Sequence, residues 1–482
     1  MGITVGFVAV KQPTIARLLV GVFGGIIFFI ISMNGRLTAL RLSIVFLVFL
    51  GLIRRLLIPF AGWSEQDPLL LVGPACAFMI WLNSRERSPK RRDGLSVLVV
   101  LFAIWVVAQI FNPRNGSLLN GALGSLFWIP PLMWFTVGKT FSERVHRNIA
   151  NILILVAIPV ALHGLRQTYF GLFSFEYTWL GVSNIGASVF YEGFKIRSFG
   201  PLVSPQEYGA FLSVAITFLW GTILAREPHR WYRVGLLGFL VFALFMQGAR
   251  SIFLLTVLML TVTTIVWTKN VGLKIMVAFG IGATVFLLRM LPAPDRDGTT
   301  AASAAITHQL SGLLNPGEST AGLHMDMITG GFDRAWQNPF GLGTAAASLV
   351  VTKAGATESA GTEFDISTLF VAMGIPAGIA YLFFLIMLFA GATKRFLISR
   401  NWFTIASLGI FVATFGNIWS GGLYAVSSIL WFSMGGLSRS SDPVAVLQDE
   451  EEEAALAQSR LVAKQAEEAR QSWRLEGPGA PA

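Results

Sequence analysis

Charge and cysteine are what this sequence has least of. Only 13% of its 482 residues are Asp, Glu, Lys or Arg, where an ordinary soluble chain carries about a quarter. The one cysteine, Cys76, sits inside an apolar run, so no intrachain disulfide can form and thiol redox chemistry lacks a second sulfur. The five histidines, at 146, 163, 229, 308 and 324, include no His-x-x-x-His pair. With no cysteine cluster either, the ligand spacing of a zinc or iron site is missing. No Gly-x-x-x-x-Gly-Lys loop is present to cradle phosphates, which argues against ATP hydrolysis by this chain. No basic helix is interleaved with aromatics, so nucleic acid is not an expected partner despite a net charge of +10. No cofactor is expected.

Apolar sequence fills the space that charge leaves. Hydrophobic residues make up 54% of the chain, and its mean hydropathy is +0.65. Runs near the length of a bilayer crossing fall at 15–33, 38–60, 67–83, 95–111, 118–137, 148–167, 206–225, 234–248, 251–268, 272–288, 364–390, 402–419 and 422–437. They predict an all-α polytopic transmembrane bundle of about 12–13 spans, with the lipid bilayer as its first partner. No cleavage site follows the first run, which is expected to serve as its own insertion signal.

The basic residues set an orientation. Lys and Arg concentrate in the connections 84–94, 138–147, 226–233, 269–274 and 391–401, while the alternate connections 112–117, 168–204, 248–251 and 289–361 are poorer in them. The positive-inside bias places the first group in the cytoplasm and the second outside. The N-terminal side fits less simply, because Arg54-Arg55 interrupts the second apolar run. Two arrangements are open there: three spans before Ser84 with the N-terminus outside, or a re-entrant 56–83 with the N-terminus inside. Four regions follow: an N-terminal bundle at 1–288, one large outer loop at 289–361, C-terminal helices at 362–438 and a charged cytoplasmic tail at 439–482. The tail carries five consecutive acids from Asp449 to Glu453 and reads as a solvated appendage.

The loop at 289–361 is far longer than the usual connection, which marks it as functional. Within it, a helix at 323–337 would gather Met325, Ile328, Phe332 and Trp336 on one face and Asp326, Asp333 and Gln337 on the other. Gly330-Gly331 would weaken that helix and could divide it. His324 borders the apolar arc and Arg334 the opposite flank; a lone histidine such as His308 or His324 is as readily a packing or solvent-facing residue. Asn338-Pro339-Phe340-Gly341-Leu342-Gly343 reads as a turn whose glycines admit close backbone approach. At the return to the membrane, Glu363 and Asp365 offer a general base for a hydroxyl proton, or a cap for the following helix. On other outer connections stand Lys195 and Arg197, just before Ser204-Pro205-Gln206-Glu207, and Arg250, squeezed between two apolar runs. Charge at that depth snorkels to the interface, pairs with an acid (Glu192, Glu207 and Asp365 are the candidates) or binds a ligand. The planar fork of arginine suits phosphate.

These pieces together resemble the O-antigen ligase and polymerase family of bacterial inner-membrane glycosyltransferases. Arg197-Ser198-Phe199-Gly200-Pro201 followed by Ser204-Pro205-Gln206 is similar to the family's Arg-x-x-Gly and Pro-Asn before a helix. Gly248-Ala249-Arg250-Ser251 resembles its short Ser-Arg hairpin. Asn338 to Gly343, then Leu369 to Gly374-Ile375-Pro376, resembles its large loop and re-entry. The likeness covers roughly 190–385 and departs from the family at the re-entry, where Glu363-Phe364-Asp365 stands in place of His-Asn. It implies metal-independent polymerisation or ligation of undecaprenyl-pyrophosphate-linked oligosaccharides onto a glycan or lipid acceptor at the periplasmic face. A chain-length regulator protein is an implied partner. Carried onto this chain, it makes Arg197 and Arg250, with Lys195 and Arg334, the donor-pyrophosphate cations, and His324, Glu363 and Asp365 the candidates for acceptor activation. A polysaccharide transporter or lipid-linked-glycan flippase is the competing expectation; it predicts charge spread through many spans and internal symmetry, neither of which the sequence displays. A purely structural membrane protein would leave Arg250 and the long loop without a reason.

Overall fold

A computed structural model describes residues 13–63, 67–84, 93–183, 189–191, 195–226, 228, 230–272, 274–275, 321–347, 364–416, 418–419, 424–440 and, in the tail, 458, 462 and 465–467. The architecture is all-α, as composition predicts. The helices are α1 (Pro13–Asn34), α2 (Arg36–Leu56), α3 (Val72–Ser84), α4 (Gly94–Ile110), α5 (Leu118–Lys139), α6 (Glu143–Phe170), α7 (Ser174–Val182), α8 (Pro205–Leu224), α9 (Arg230–Met246), α10 (Arg250–Trp267), α11 (Ala321–Gln337), α12 (Asp365–Met373), α13 (Ile375–Ser399), α14 (Trp402–Ala413) and α15 (Tyr424–Ser440). Among the described residues, seven helices are long and apolar enough to cross a membrane, and four shorter apolar helices accompany them. The only strand pairing among those residues is a two-residue antiparallel ladder, Phe190–Tyr191 with Lys195–Ile196. The run expected at 272–288 lies mostly outside them.

Depth in the bundle follows side-chain size and polarity. In α8, 89% of the most apolar window is buried, against 17% in α1, so α8 is the central helix and α1 a peripheral one. A close approach joins α5 to α15, where a Cβ on Gly138 would collide with Phe432 O and one on Gly435 with Phe135 O. Small residues allow that approach in an apolar medium, where packing rather than water exclusion holds helices together. His146 packs on Phe432 at 4.3 Å between ring centroids and faces Gly138 O at 2.9 Å.

Two hydrogen-bonded layers close the bundle at opposite ends. At one end Lys139 Nζ donates to Asp93 Oδ1 (2.6 Å) and Ser96 Oγ (2.7 Å), and Ser438 Oγ donates to Asp93 Oδ2 (3.0 Å). Arg439 Nη1 reaches Lys139 O at 3.2 Å, so the start of α4 and the ends of α5 and α15 meet there. At the other end Thr344 Oγ1 donates to Gly121 O, near the start of α5 (2.6 Å), and Ala425 N, at the start of α15, donates to Glu207 Oε1 in the first turn of α8 (3.1 Å). This second end also holds the 338–347 segment and all the arginines of interest.

The open question at the N-terminal side is answered in favour of three passes. Asp67 Oδ1 accepts from Leu69 N (3.0 Å), starting the segment that leads into α3 beside Arg17 and Arg54. Near the far end of α3, Asn83 Nδ2 reaches Ser32 O near the end of α1 (3.2 Å). The chain therefore travels the depth of the bundle through 68–84 and does not turn back. A second difference concerns 364–390, expected as one span. It divides at Gly374, whose φ of 85° ends α12, and Pro376 lies in the first turn of α13.

Burial would raise the Asp93 carboxyl, but hydrogen bonds from Lys139 and Ser96 outweigh it and hold the group below its ordinary value. The stabilisation from this network is therefore complete above the ordinary aspartate value of about 3.9 and is lost as pH falls through the depressed folded value. Thermal unfolding in detergent is expected to show this acid limb in the native chain and a flatter one in Asp93→Asn. Identical acid limbs in the two proteins would remove Asp93 from that role.

Candidate functional site

The site is assembled at the second end from chain starts and turns. Ser204 Oγ accepts from Glu207 N at 3.1 Å and caps α8, with Pro205 in the first helical position. Glu207 is 2% exposed, and its carboxylate accepts from Val203 N and Ala425 N, each at 3.1 Å. Gln247, fully buried, donates from Nε2 to Pro205 O (2.7 Å) and accepts Ala249 N at Oε1 (2.8 Å). This amide clasps the α9–α10 turn to the start of α8. The turn passes through Gly248 at φ 89°, and α10 begins at Arg250. A Cβ on Gly248 would lie 3.8 Å from Arg197 Cγ, so the Arg197 stem runs alongside the turn that presents Arg250. The connections that carry these two half-buried arginines therefore meet at Gly248.

The connection carrying Arg197 is itself held from below. Arg55 donates to Gly200 O and Leu202 O, and Gln167 accepts from Phe199 N and Gly200 N. Glu176, fully buried, receives Gln167 Nε2 (2.7 Å) and Phe173 N (2.9 Å) and faces His163 Nε2 at 3.1 Å. Burial pushes its carboxyl upward, yet the His163 and Phe173 hydrogen bonds and the Arg55 charge leave it below the usual carboxylate range. Nearby on α1 and α2, Arg17 and Arg54 share Asp67 Oδ2 at 2.5 and 2.8 Å, with Trp63 over both guanidinium groups. Sequence reasoning passed over Gln247, Gln167 and Glu176. Arg54-Arg55 did give a signal, as a charge break in an apolar run.

The described part of the long loop is anchored to α4 and α5. Leu342 N and Gly343 N donate to Val371 O and Ala372 O, each at 2.9 Å, and Ile375 N donates to Pro339 O at 2.8 Å. The motif at 338–343 and the one at 374–376 therefore interlock through their backbones. Their glycines are explained by this contact: Gly341, Gly343 and Gly374 have φ values of 86°, 96° and 85°, and a Cβ on Gly341 would lie 2.5 Å from Ala372 O. Gln109 Nε2 donates to Phe340 O (2.6 Å), Asn112 Nδ2 to Gly341 O (3.1 Å), and Asn115 Oδ1 accepts from Ala345 N (3.0 Å). Trp105, Gln109, Asn112, Arg114, Asn338 and Phe340 line a surface groove of about 420 Å³ beside this junction. The α11 helix is continuous through Gly330-Gly331, and its buried positions are Gly331 and Ala335 rather than the large apolar residues. Met325, Phe332 and Trp336 are exposed, and Phe332 lies edge-on to Phe370 of α12 at 5.4 Å between ring centroids.

Asp365 requires a correction as a candidate base. It is 3% exposed, its Oδ2 accepts from Trp419 N at 2.7 Å, and its own amide donates to Gly416 O at 2.9 Å. Phe364 holds the N-cap position of α12, and Asp365 is the acid of its first turn. A buried carboxylate committed to a backbone amide ties α12 to Trp419 and is badly placed to accept a substrate proton. Arg334 is half-buried in the last turn of α11, its carbonyl accepting from Asn338 N and Nδ2 at 3.1 and 2.9 Å. Glu363, Glu192, His308 and the side chains of His324 and Lys195 lie outside the described residues. No cluster of three or more His, Cys, Asp or Glu side chains occurs among the described residues. Comparison with protein-family models finds no match, and comparison with curated proteins finds none either.

Replacing Gly341 by alanine puts a Cβ into Ala372 O at a positive φ. That substitution is expected to cost about 1–3 kcal/mol, read as a lower thermal midpoint and faster proteolysis within 338–347. A native midpoint and cleavage pattern would show that the interlocked glycines are dispensable.

Proposed function

We propose that the chain is a metal-independent glycosyltransferase of the O-antigen ligase and polymerase type. It would join undecaprenyl-pyrophosphate-linked glycans, as a polymerase in preference to a ligase, at the periplasmic face of a bacterial inner membrane. The basic connections at the Lys139 end support a cytoplasmic assignment for that end and for the tail, which leaves the arginine end periplasmic. The observation that carries the reading is the passage of Arg197 along the turn that presents Arg250. Two cations on connections whose backbones are held by buried amides, at the end of an apolar bundle, suit a pyrophosphate whose polyprenyl tail stays in lipid.

In this reading the acceptor hydroxyl attacks the anomeric carbon of the donor sugar and the bond from that carbon to the pyrophosphate oxygen breaks. The hydroxyl proton passes to a base at the edge of the long loop, for which Glu363 and His324 remain the candidates once Asp365 is assigned to scaffolding. Undecaprenyl pyrophosphate leaves with its charge balanced by Arg197 and Arg250, with Arg334 and Lys195 as further cations. The donor bond itself supplies the driving force, so no nucleotide site is required.

The test is direct. Purified protein with an undecaprenyl-pyrophosphate oligosaccharide, with and without acceptor, is expected to release undecaprenyl pyrophosphate and lengthen the glycan, with EDTA leaving the rate unchanged. Arg250→Ala is expected to lower turnover by roughly 100-fold or more, the scale of losing one preorganised transition-state donor, while membrane insertion stays normal. Absence of turnover with every cognate donor would sink the enzymatic reading, and movement of intact donor across proteoliposomes would replace it with flipping.

A further inference from the structure

Resting on the reading of Arg197 and Arg250 as the donor's cations, we propose that Arg55 is a positioning residue of that site. It holds the 197–204 connection in one arrangement and thereby sets Arg197 against the Gly248 turn. Arg55 stands one residue before the end of α2 and is 1% exposed. Its guanidinium donates to Leu202 O at 2.6 Å and Gly200 O at 2.7 Å, two carbonyls of the same connection. The aromatic rings of Phe199 and Trp179 lie 4.8 and 5.1 Å from its central carbon. The carboxylates of Glu176 and Glu207 are within electrostatic reach and offset its charge.

A second clamp works on the opposite set of backbone groups. Gln167 Oε1 accepts from Phe199 N (2.9 Å) and Gly200 N (2.8 Å), and its Nε2 is turned the other way onto Glu176. The orientation of that amide is therefore decided by Glu176, which His163 and the Phe173 amide hold in turn. Space agrees with bonding: a Cβ on Gly51 would lie 2.8 Å from Pro201 O and Leu202 C, so α2 presses directly on the connection. Gly200 meets this seat at φ 54°, and a Cβ there would lie 2.8 Å from Tyr208 Cδ2. With the carbonyls of 200 and 202 and the amides of 199 and 200 all taken, Arg197 leaves the clamp two residues upstream in a defined direction.

An apolar residue could fill the volume of Arg55 at less desolvation cost. What it could not do is dictate where two carbonyls sit; a rigid guanidinium fork can. A point charge on a flexible stem cannot match it either, which makes lysine the informative replacement.

The experiment reads loop position and ligand binding separately. In a Cys76→Ala background, Ser198→Cys is a reporter beside Arg197, since Ser198 is 1% exposed and Cys76 is the only native thiol. Maleimide is expected to label it slowly in the native context and roughly tenfold faster when Arg55→Lys or Gln167→Leu releases the connection, with monodispersity and thermal midpoint retained. Unchanged labelling in both variants would overturn the positioning role. In the second arm, affinity for undecaprenyl pyrophosphate is expected to fall roughly tenfold in Arg55→Lys and to fall no further when that change is added to Arg197→Ala. Additive losses would overturn action through Arg197. If the native protein does not bind the pyrophosphate at all, the donor reading fails, while the labelling arm still decides what Arg55 does.

Discussion

Cations buried in an apolar bundle are the constraint on which this structure turns. Arg17, Arg54 and Arg55 are at most 9% exposed, in a setting where an unsatisfied charge is among the costliest features a protein can carry. Each is met by acceptors from a different part of the chain: Arg17 and Arg54 by Asp67, Arg55 by the carbonyls of 200 and 202. Satisfying them forces α1, α2, the Asp67 turn and the 197–204 connection into one layer. Next to that layer, Gln247 ties the Ala249 amide, just before Arg250, to the start of α8.

The same economy of acceptors explains the acids. Glu176 and Glu207 lie near the layer and Asp365 lies elsewhere, yet the hydrogen bonds of all three include backbone amides: Phe173, Val203 with Ala425, and Trp419. In an interior short of water, a carboxylate is an efficient way to satisfy amides that a turn leaves without partners.

The long connection plays a supporting part. Its described segment is seated through backbone pairing of 342–343 with 371–372 and through the amides of Gln109, Asn112 and Asn115. Polar side chains at the ends of α4 and α5 thus do for this loop what Arg55 and Gln167 do for the 197–204 connection. Both loops are held through their main chains.

The helical class, the placing of most spans and the basic end were legible in the chain itself, because apolar length and charge position are one-dimensional properties. Glycines at 341, 343 and 374 announced a close approach, though not to one another. Tertiary structure alone decided the rest. It broke 364–390 at Gly374, since only the docked 339–343 segment supplies the partner for Ile375 N. It carried 68–84 through the bundle, turned α11 to bury Gly331 and Ala335, and took Asp365 from candidate base to a tie with Trp419. Each of these depends on which distant backbone group meets a side chain, as when Arg55 reaches carbonyls 145 and 147 residues away. Local pattern carries no information about such partners; the need to satisfy every polar group in a dry interior selects them only once the helices are packed.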